Sequence, residues 1–106
     1  MTQEELQKLY EKFSVPAASA GDAFERVTDI IRFLMSEDGC PWDRVQTHES
    51  LKKYMIEETY EVIDAINEKD SDHLEEELGD FILQAVYHGL LGEAEGSFDL
   101  TSVLNR

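Results

Sequence analysis

Two short acidic motifs are the residues of this sequence whose types and spacing best suit chemistry. The first is Glu57-Glu58-Thr-Tyr-Glu61 and the second is Glu77-Leu-Gly-Asp80. At about 100° per residue of an α-helix, Glu58 falls at the angular centre of an apolar stripe. The stripe consists of Leu51, Met55, Val62, Ala65 and Ile66. A carboxylate on a buried stripe is costly unless it is neutralised, so this position indicates a bound partner.

The remaining acids extend the same pattern. Glu61 lies one turn beyond Glu58, while Glu77 lies at the edge of an apolar stripe on the following helix, with Asp80 beyond it. An antiparallel hairpin would bring the two pairs together. Four carboxylates without a Lys or Arg partner repel one another, and a hard divalent cation removes that repulsion. The pattern predicts Mg²⁺ bound by oxygen atoms, with Mn²⁺ as the alternative ion.

Other acids and the histidines fit simpler interpretations. Glu75 and Glu76 are interpreted as part of a solvated face, an interpretation that also stays open for Glu57. The Glu-x-x-His pairs typical of ferritin-like di-iron sites are not present in the sequence. None of the three histidines is expected to share ligand spacing with the acids, and His88, on an apolar stripe, is predicted to be a core residue.

The helices that must position these acids are indicated by hydrophobic periodicity. Residues 22–35 and 51–68 predict amphipathic helices, and a third is predicted over residues 72–95, ending near Gly96. Thr47 or Ser50 is expected to cap the second helix, and Ser71 or Asp72 the third. A short helix is expected near the C-terminus. The fold class is therefore all-α, a helical hairpin with flanking helices that completes a four-helix-type bundle, which we expect to form by homodimerisation or higher self-association.

Length and charge set limits on domains and partners. The 106 residues suit one domain, which we place at residues 22–106 after an N-terminal arm and linker, residues 1–21. The formal net charge of -15 argues against binding to duplex nucleic acid or an anionic membrane. A single cysteine and the lack of a signal-like start indicate a cytoplasmic protein.

The motifs, taken together, resemble the MazG family of all-α nucleotide pyrophosphohydrolases. Beside the two acidic motifs, four segments occur in family-like order: Gly39-Cys-Pro-Trp-Asp43, Gln46-Thr-His48, Glu76-Glu-Leu-Gly-Asp80 and Glu95-Gly-Ser-Phe-Asp99. The resemblance covers the chain from about Asp22 onward. It implies that Mg²⁺ binds to four acids and that a nucleoside triphosphate is cleaved to its monophosphate and pyrophosphate. These four acids are Glu58, Glu61, Glu77 and Asp80.

Further roles follow around that implied site. Glu57 matches the first acid of the family motif and is the candidate to orient or deprotonate the attacking water, with Glu58 beside it in the catalytic set. Lys53 is a candidate phosphate ligand. Trp42 could stack on a nucleobase, although anchoring of its loop to the core is the interpretation we favour for it.

Two alternatives remain open from sequence. Family members usually continue with another helical segment and a basic stretch, so this chain is expected to be a fragment or an excised domain. The leading hypothesis is house-cleaning of the nucleotide pool by hydrolysis of canonical or damaged triphosphates. One alternative is a specialist of the same superfamily for dUTP, dCTP or phosphoribosyl-ATP. The other is a non-catalytic helical module for dimerisation or regulation that retains a metal site.

Overall fold

Six helices make up the secondary structure of residues 2–106, the part of the chain that the computed structural model describes, with the side chains of residues 6 and 9 excepted. They are α1 (Gln3–Ser14), α2 (Ala20–Leu34), α3 (Pro41–Arg44), α4 (His48–Glu68), α5 (Ser71–Glu95) and α6 (Leu100–Asn105). Within that described range the chain forms no strand, which confirms the all-α class. None of these helices is long and apolar enough to cross a membrane.

The chain divides into two compact units. The first ends at Val45 and contains α1 to α3, and the second, Gln46–Arg106, contains α4 to α6. The predicted N-terminal arm contains a helix, α1, and the predicted linker lies where α1 ends at Ser14 and α2 begins at Ala20. The domain boundary placed after residue 21 stays a prediction.

In the second unit, α4 and α5 form the predicted hairpin, packed against each other and joined by Lys69 and Asp70. Thr47 caps α4 through a reciprocal pair of hydrogen bonds with Ser50, since each side chain accepts from the other's backbone N–H. At its other end, Lys69 adopts a left-handed conformation with φ 58°. The backbone N–H groups of Lys69 and Asp70 donate to Ile66 and Ala65, which closes α4 in a Schellman arrangement.

The prediction of Ser71 or Asp72 as the cap of α5 is wrong. Asp70 is the cap, and its carboxylate accepts from the His73 backbone N–H at 3.1 Å. Three consecutive residues, Asp70 to Asp72, have side chains that favour caps, so residue type alone does not choose among them. The end of α4 decides, because Lys69 reverses the chain and leaves Asp70 extended.

Two glycines of α5 leave room for the chain segment that forms α6. A Cβ atom at Gly89 would overlap the Leu100 side chain, and one at Gly92 would overlap the Phe98 ring. Gly96, with φ 76°, ends α5 where a C-terminal glycine was predicted, and the Ser97 N–H donates to the Gly92 carbonyl at 3.0 Å. The chain can therefore turn back so that α6 packs on α5.

Replacement of the α5 cap tests how the hairpin is closed. Asp70→Ala should cost about 1 kcal/mol of unfolding free energy, because the His73 N–H loses its acceptor. Urea unfolding followed by far-UV circular dichroism measures this. Ser71→Ala is the matched control and should change stability by less than about 0.5 kcal/mol. Equal losses in the two variants would contradict Asp70 as the cap.

Candidate metal centre

The face of α4 that packs on α5 carries Glu58 among buried apolar residues. Leu51 and Ala65 lie two turns before and after it and are 1% and 0% exposed. The predicted stripe is buried unevenly, since Met55 and Ile66 remain 42% and 55% exposed. Glu58 nevertheless occupies a position where the packing of α4 requires a buried side chain.

Two acids of α5 meet Glu58 across the hairpin. Glu58, Glu77 and Asp80 each place one carboxylate oxygen so that the three lie within 4.8 Å of one another. All three side chains are half-buried. The Oε2 atom of Glu58 is buried and has no hydrogen-bond partner among the described residues. A buried oxygen without a partner is a costly arrangement that a bound cation would relieve.

Within this acidic triad, the pKa of Glu58 is shifted by its surroundings. Burial raises the pKa of Glu58 above its ordinary value of 4.5, and the negative charges of Asp80 and Glu77 raise it further. The hydrogen bond that a protonated Glu58 would donate to Glu77, and the charge of Glu61, act in the same direction. Removing water and adding like charges both disfavour the ionised carboxylate, so the group is prepared for a proton or a metal ion.

The fourth predicted ligand, Glu61, lies in an adjoining group. Its carboxylate, a ring nitrogen of His73 and an oxygen of Glu77 lie within 4.8 Å of one another. Glu77 thus belongs to both groups, and its side chain is 12% exposed. The expectation that no histidine shares spacing with the acids is wrong, because His73 precedes Glu77 by one helical turn. The i, i+4 spacing was the signal that could have identified it.

The other predicted site residues lie outside these groups. Glu57 is exposed on α4, one position before Glu58. Lys53 is also exposed, with its ammonium 5.0 Å from the centre of the Tyr54 ring. Trp42 belongs to the first unit, on α3, and is 46% exposed. Their roles toward a substrate stay predictions.

His88 occupies the half-buried position predicted for a core residue. Its Nδ1 lies 2.7 Å from Nδ1 of His48, and the two rings stack with centroids 5.0 Å apart. Burial lowers the pKa of His88, and the nearby charge of His48 lowers it further. The pair joins the start of α4 to the C-terminal half of α5, at a distance along α5 from the acidic triad.

Comparison with known proteins decides the family. The model of the MazG nucleotide pyrophosphohydrolase domain matches residues 46–106, the segment that contains α4, α5 and both acidic groups. The chain belongs to the MazG family. This MazG chain is 51% identical, over 80% of its length, to a Thermotoga maritima protein named nucleoside triphosphate pyrophosphohydrolase/pyrophosphatase MazG.

Two further relatives match similar shares of the chain. An Escherichia coli K12 protein named nucleoside triphosphate pyrophosphohydrolase is 46% identical over 74% of the MazG chain. The Bacillus subtilis protein YabN, which is uncharacterised, is 53% identical over 76% of it. The matched regions cover 33% of the Thermotoga protein, 30% of the Escherichia protein and 17% of YabN. The MazG chain therefore spans a third or less of these relatives.

The Glu58→Gln variant tests whether like charges in the acidic triad destabilise the fold. In metal-free buffer at neutral pH, Glu58→Gln should raise Tm by about 4 °C, roughly 1 kcal/mol at this chain length. Because the folded-state pKa of Glu58 is raised, the wild-type carboxyl contributes stability below pH 4.5 that is lost as pH rises through the raised value. The advantage of the variant should therefore shrink on acidification.

The exposed neighbour Glu57 provides the matched control. Glu57→Gln should leave Tm nearly unchanged over the same pH range, because this side chain lies outside the acidic triad. Differential scanning calorimetry in the presence of a chelator measures both variants. A lower Tm for Glu58→Gln than for wild type at neutral pH would show that the negative charge of Glu58 does not destabilise the fold.

Proposed function

We propose that this chain hydrolyses nucleoside triphosphates to nucleoside monophosphate and pyrophosphate with the help of a divalent cation. The observation that carries the proposal is the convergence of Glu58, Glu77 and Asp80 within 4.8 Å, with a buried Glu58 oxygen left unpartnered. Such a site gains its stability from a cation, and a cation that keeps open coordination positions recruits phosphate oxygens.

The proposed cation is Mg²⁺, with Mn²⁺ as the alternative, because the predicted ligands are carboxylates. Glu58, Glu77 and Asp80 would hold it, and Glu61 would contribute from the adjoining group. When bound, the ion neutralises phosphate oxygens and lowers the pKa of bound water. The lack of Lys and Arg between Lys69 and Arg106 supports the proposal, since α5 has no other source of positive charge for a polyphosphate than a cation and its histidines.

Three residues have proposed roles toward substrate. Glu57 orients or deprotonates the attacking water, and Glu58 beside it completes the catalytic pair. Lys53, exposed on the same helix, contacts a phosphate.

The names of relatives support the reaction and suggest its setting. The Thermotoga and Escherichia proteins are named for nucleoside triphosphate pyrophosphohydrolysis, and both match over more than 70% of this chain. We propose by extension that the chain acts in the cytoplasm on canonical or damaged triphosphates, as a house-cleaning enzyme. A non-catalytic module that retains only the metal site is the outcome that would replace this proposal.

Pyrophosphate release from a panel of triphosphates tests the reaction. The wild-type chain with Mg²⁺ should release pyrophosphate and monophosphate, and Glu58→Gln and Asp80→Asn should lower the rate about 100-fold or more. Mg²⁺ should also raise Tm of the wild type but not of Glu58→Gln, by mass action on the folded state. Glu75→Gln, an exposed acid of α5, should behave as wild type.

Two results would count against this reaction. No pyrophosphate at any concentration of Mg²⁺ or Mn²⁺ would favour the non-catalytic module for this chain. Full activity of Glu58→Gln would show that the metal ligands are wrongly assigned.

We also propose that a second copy of the chain covers the outer faces of α4 and α5 to complete a four-helix bundle. On α4, Ile56, Tyr60 and Ile63 recur at helical spacing and are 59%, 63% and 44% exposed. On α5, Phe81 and Ile82 are 43% and 49% exposed. A helix with apolar residues on opposite sides is typical of one buried all round, and self-association supplies the missing cover.

Charge substitutions on this outer face test the assembly. In sedimentation velocity the wild type should behave as a dimer or larger, whereas Ile63→Asp and Phe81→Asp should shift it toward monomer, because a buried unpaired charge opposes association. Glu75→Lys, which changes charge at an exposed polar position of α5, is the control. A monomeric wild type at high micromolar concentration would contradict the proposed bundle.

A further inference from the structure

Two histidines meet at the end of the hairpin that lies opposite its turn. His48 is the first residue of α4, and His88 lies in the C-terminal half of α5. Their Nδ1 atoms are 2.7 Å apart, and the two rings stack with an angle of 10° between their planes. At this distance a hydrogen bond joins the rings when one Nδ1 carries a proton and the other does not.

The contacts of His48 allow it to carry a proton on both nitrogens. Its Nε2 lies 3.4 Å from Oε2 of Glu95, an exposed acid at the end of α5. Its Nδ1 faces the acceptor that the unprotonated Nδ1 of His88 provides. A positive charge on the half-buried His48 ring is therefore compatible with the pair, and the hydrogen bond to His88 is then charge-assisted.

A second charge, on His88, is incompatible with the pair. A charged His88 carries a proton on both nitrogens, and its Nε2 is buried with no hydrogen-bond partner among the described residues. Its Nδ1–H would point at the Nδ1–H of a charged His48. Burial lowers the pKa of His88 below its ordinary value of 6.5, and the charge of His48 lowers it further.

The charged neighbours of the pair come from α4 and α5. On α4, the carboxylate of Glu49 interacts with the charge of His48, and on α5 Glu95 faces the same ring. The third element, α6, contains no ionisable side chain, and Asp99 before it is its N-cap. The acids thus favour a charge on His48, whereas the charge that acts on His88 is that of His48 itself.

The pair also lies against the segment that leads into α6. The centre of the Phe98 ring is 6.3 Å from the centre of the His48 ring. Leu100, the first residue of α6, covers Gly89, the residue that follows His88. A movement of either histidine ring would therefore disturb the contacts that hold α6 on α5.

We propose that the His48–His88 pair is a pH-sensitive switch that holds α6 on α5 at neutral pH and releases it in acid, when both rings are charged. The two imidazolium groups then repel each other, and His48 turns toward Glu95 and solvent. Because Phe98 packs beside His48, the segment before α6 loses part of its support. The switch does not depend on the proposed reaction, since both rings lie outside the acidic triad.

An NMR titration of the chain in the presence of a chelator tests the switch. Because the folded-state pKa of His88 is lowered, its contribution to stability is fully present above pH 6.5 and is lost as pH falls from 6.5 toward the lowered value. The His88 ring should therefore titrate with a midpoint below 6.5. The backbone amide resonances of residues 98–105 should shift with the same midpoint.

Variants at either ring separate the pair from general effects of acid. His88→Phe keeps a ring that cannot be charged and should abolish the pH-dependent shifts of residues 98–105. His48→Asn keeps a polar side chain without a charge and should raise the His88 midpoint, since one of the two causes of its lowering is removed. His73→Gln, which removes a histidine at the other end of α5, should leave that midpoint unchanged. Far-UV circular dichroism confirms that each variant is folded.

Four results would overturn the switch. The first is a His88 midpoint at or above 6.5 in the wild type, and the second is a set of α6 amide resonances that do not follow the His88 ring. The third is a pH-dependent shift of α6 that persists in His88→Phe. The fourth is an unchanged His88 midpoint in His48→Asn, which decides the matter even if His88→Phe does not fold.

Discussion

Negative charge held between α4 and α5 is the constraint around which the second unit is organised. Glu58 lies where the packing of α4 requires a buried side chain, and it meets Glu77 and Asp80 instead of a cation from a neighbouring helix. The raised pKa of Glu58 shows that its ionised form is disfavoured, first by burial and then by the charges of Asp80 and Glu77. The hairpin is thus less stable without a cation than its apolar contacts alone would allow.

Well-capped helix ends and small residues hold the acids in place against this repulsion. The hydrogen bonds of Thr47 and Asp70 satisfy the first turns of α4 and α5, and Gly96 closes the far end of α5. Gly89 and Gly92 let the chain after α5 return onto it. These contacts stabilise parts of the fold outside the triad. They offset the free-energy cost of holding like charges together at the site.

The sequence predicted the hairpin and the anomaly at Glu58 because both follow from helical periodicity, which is a local property. It did not predict the cap of α5, since Asp70, Ser71 and Asp72 compete and the preceding helix decides among them. The position of His73 beside the acids was missed although its i, i+4 spacing to Glu77 indicates it, and only its contact with Glu68, across the turn, lies beyond helical spacing. The stripe through Met55 and Ile66 is only partly buried, because periodicity shows that a face is apolar without showing what covers it.

The length of the turn between α4 and α5 also determines how the acids of the two helices are aligned. Lys69 and Asp70 are its whole length, and the left-handed Lys69 backbone leads directly into the cap of α5. Each residue added inside α5 between that cap and Glu77 would rotate Glu77 by about 100° relative to Glu58. The proposed metal site therefore depends on the number of residues between Lys69 and Glu77 as well as on the identity of its ligands. Insertions in this segment would be tolerated far less than insertions in an ordinary surface loop.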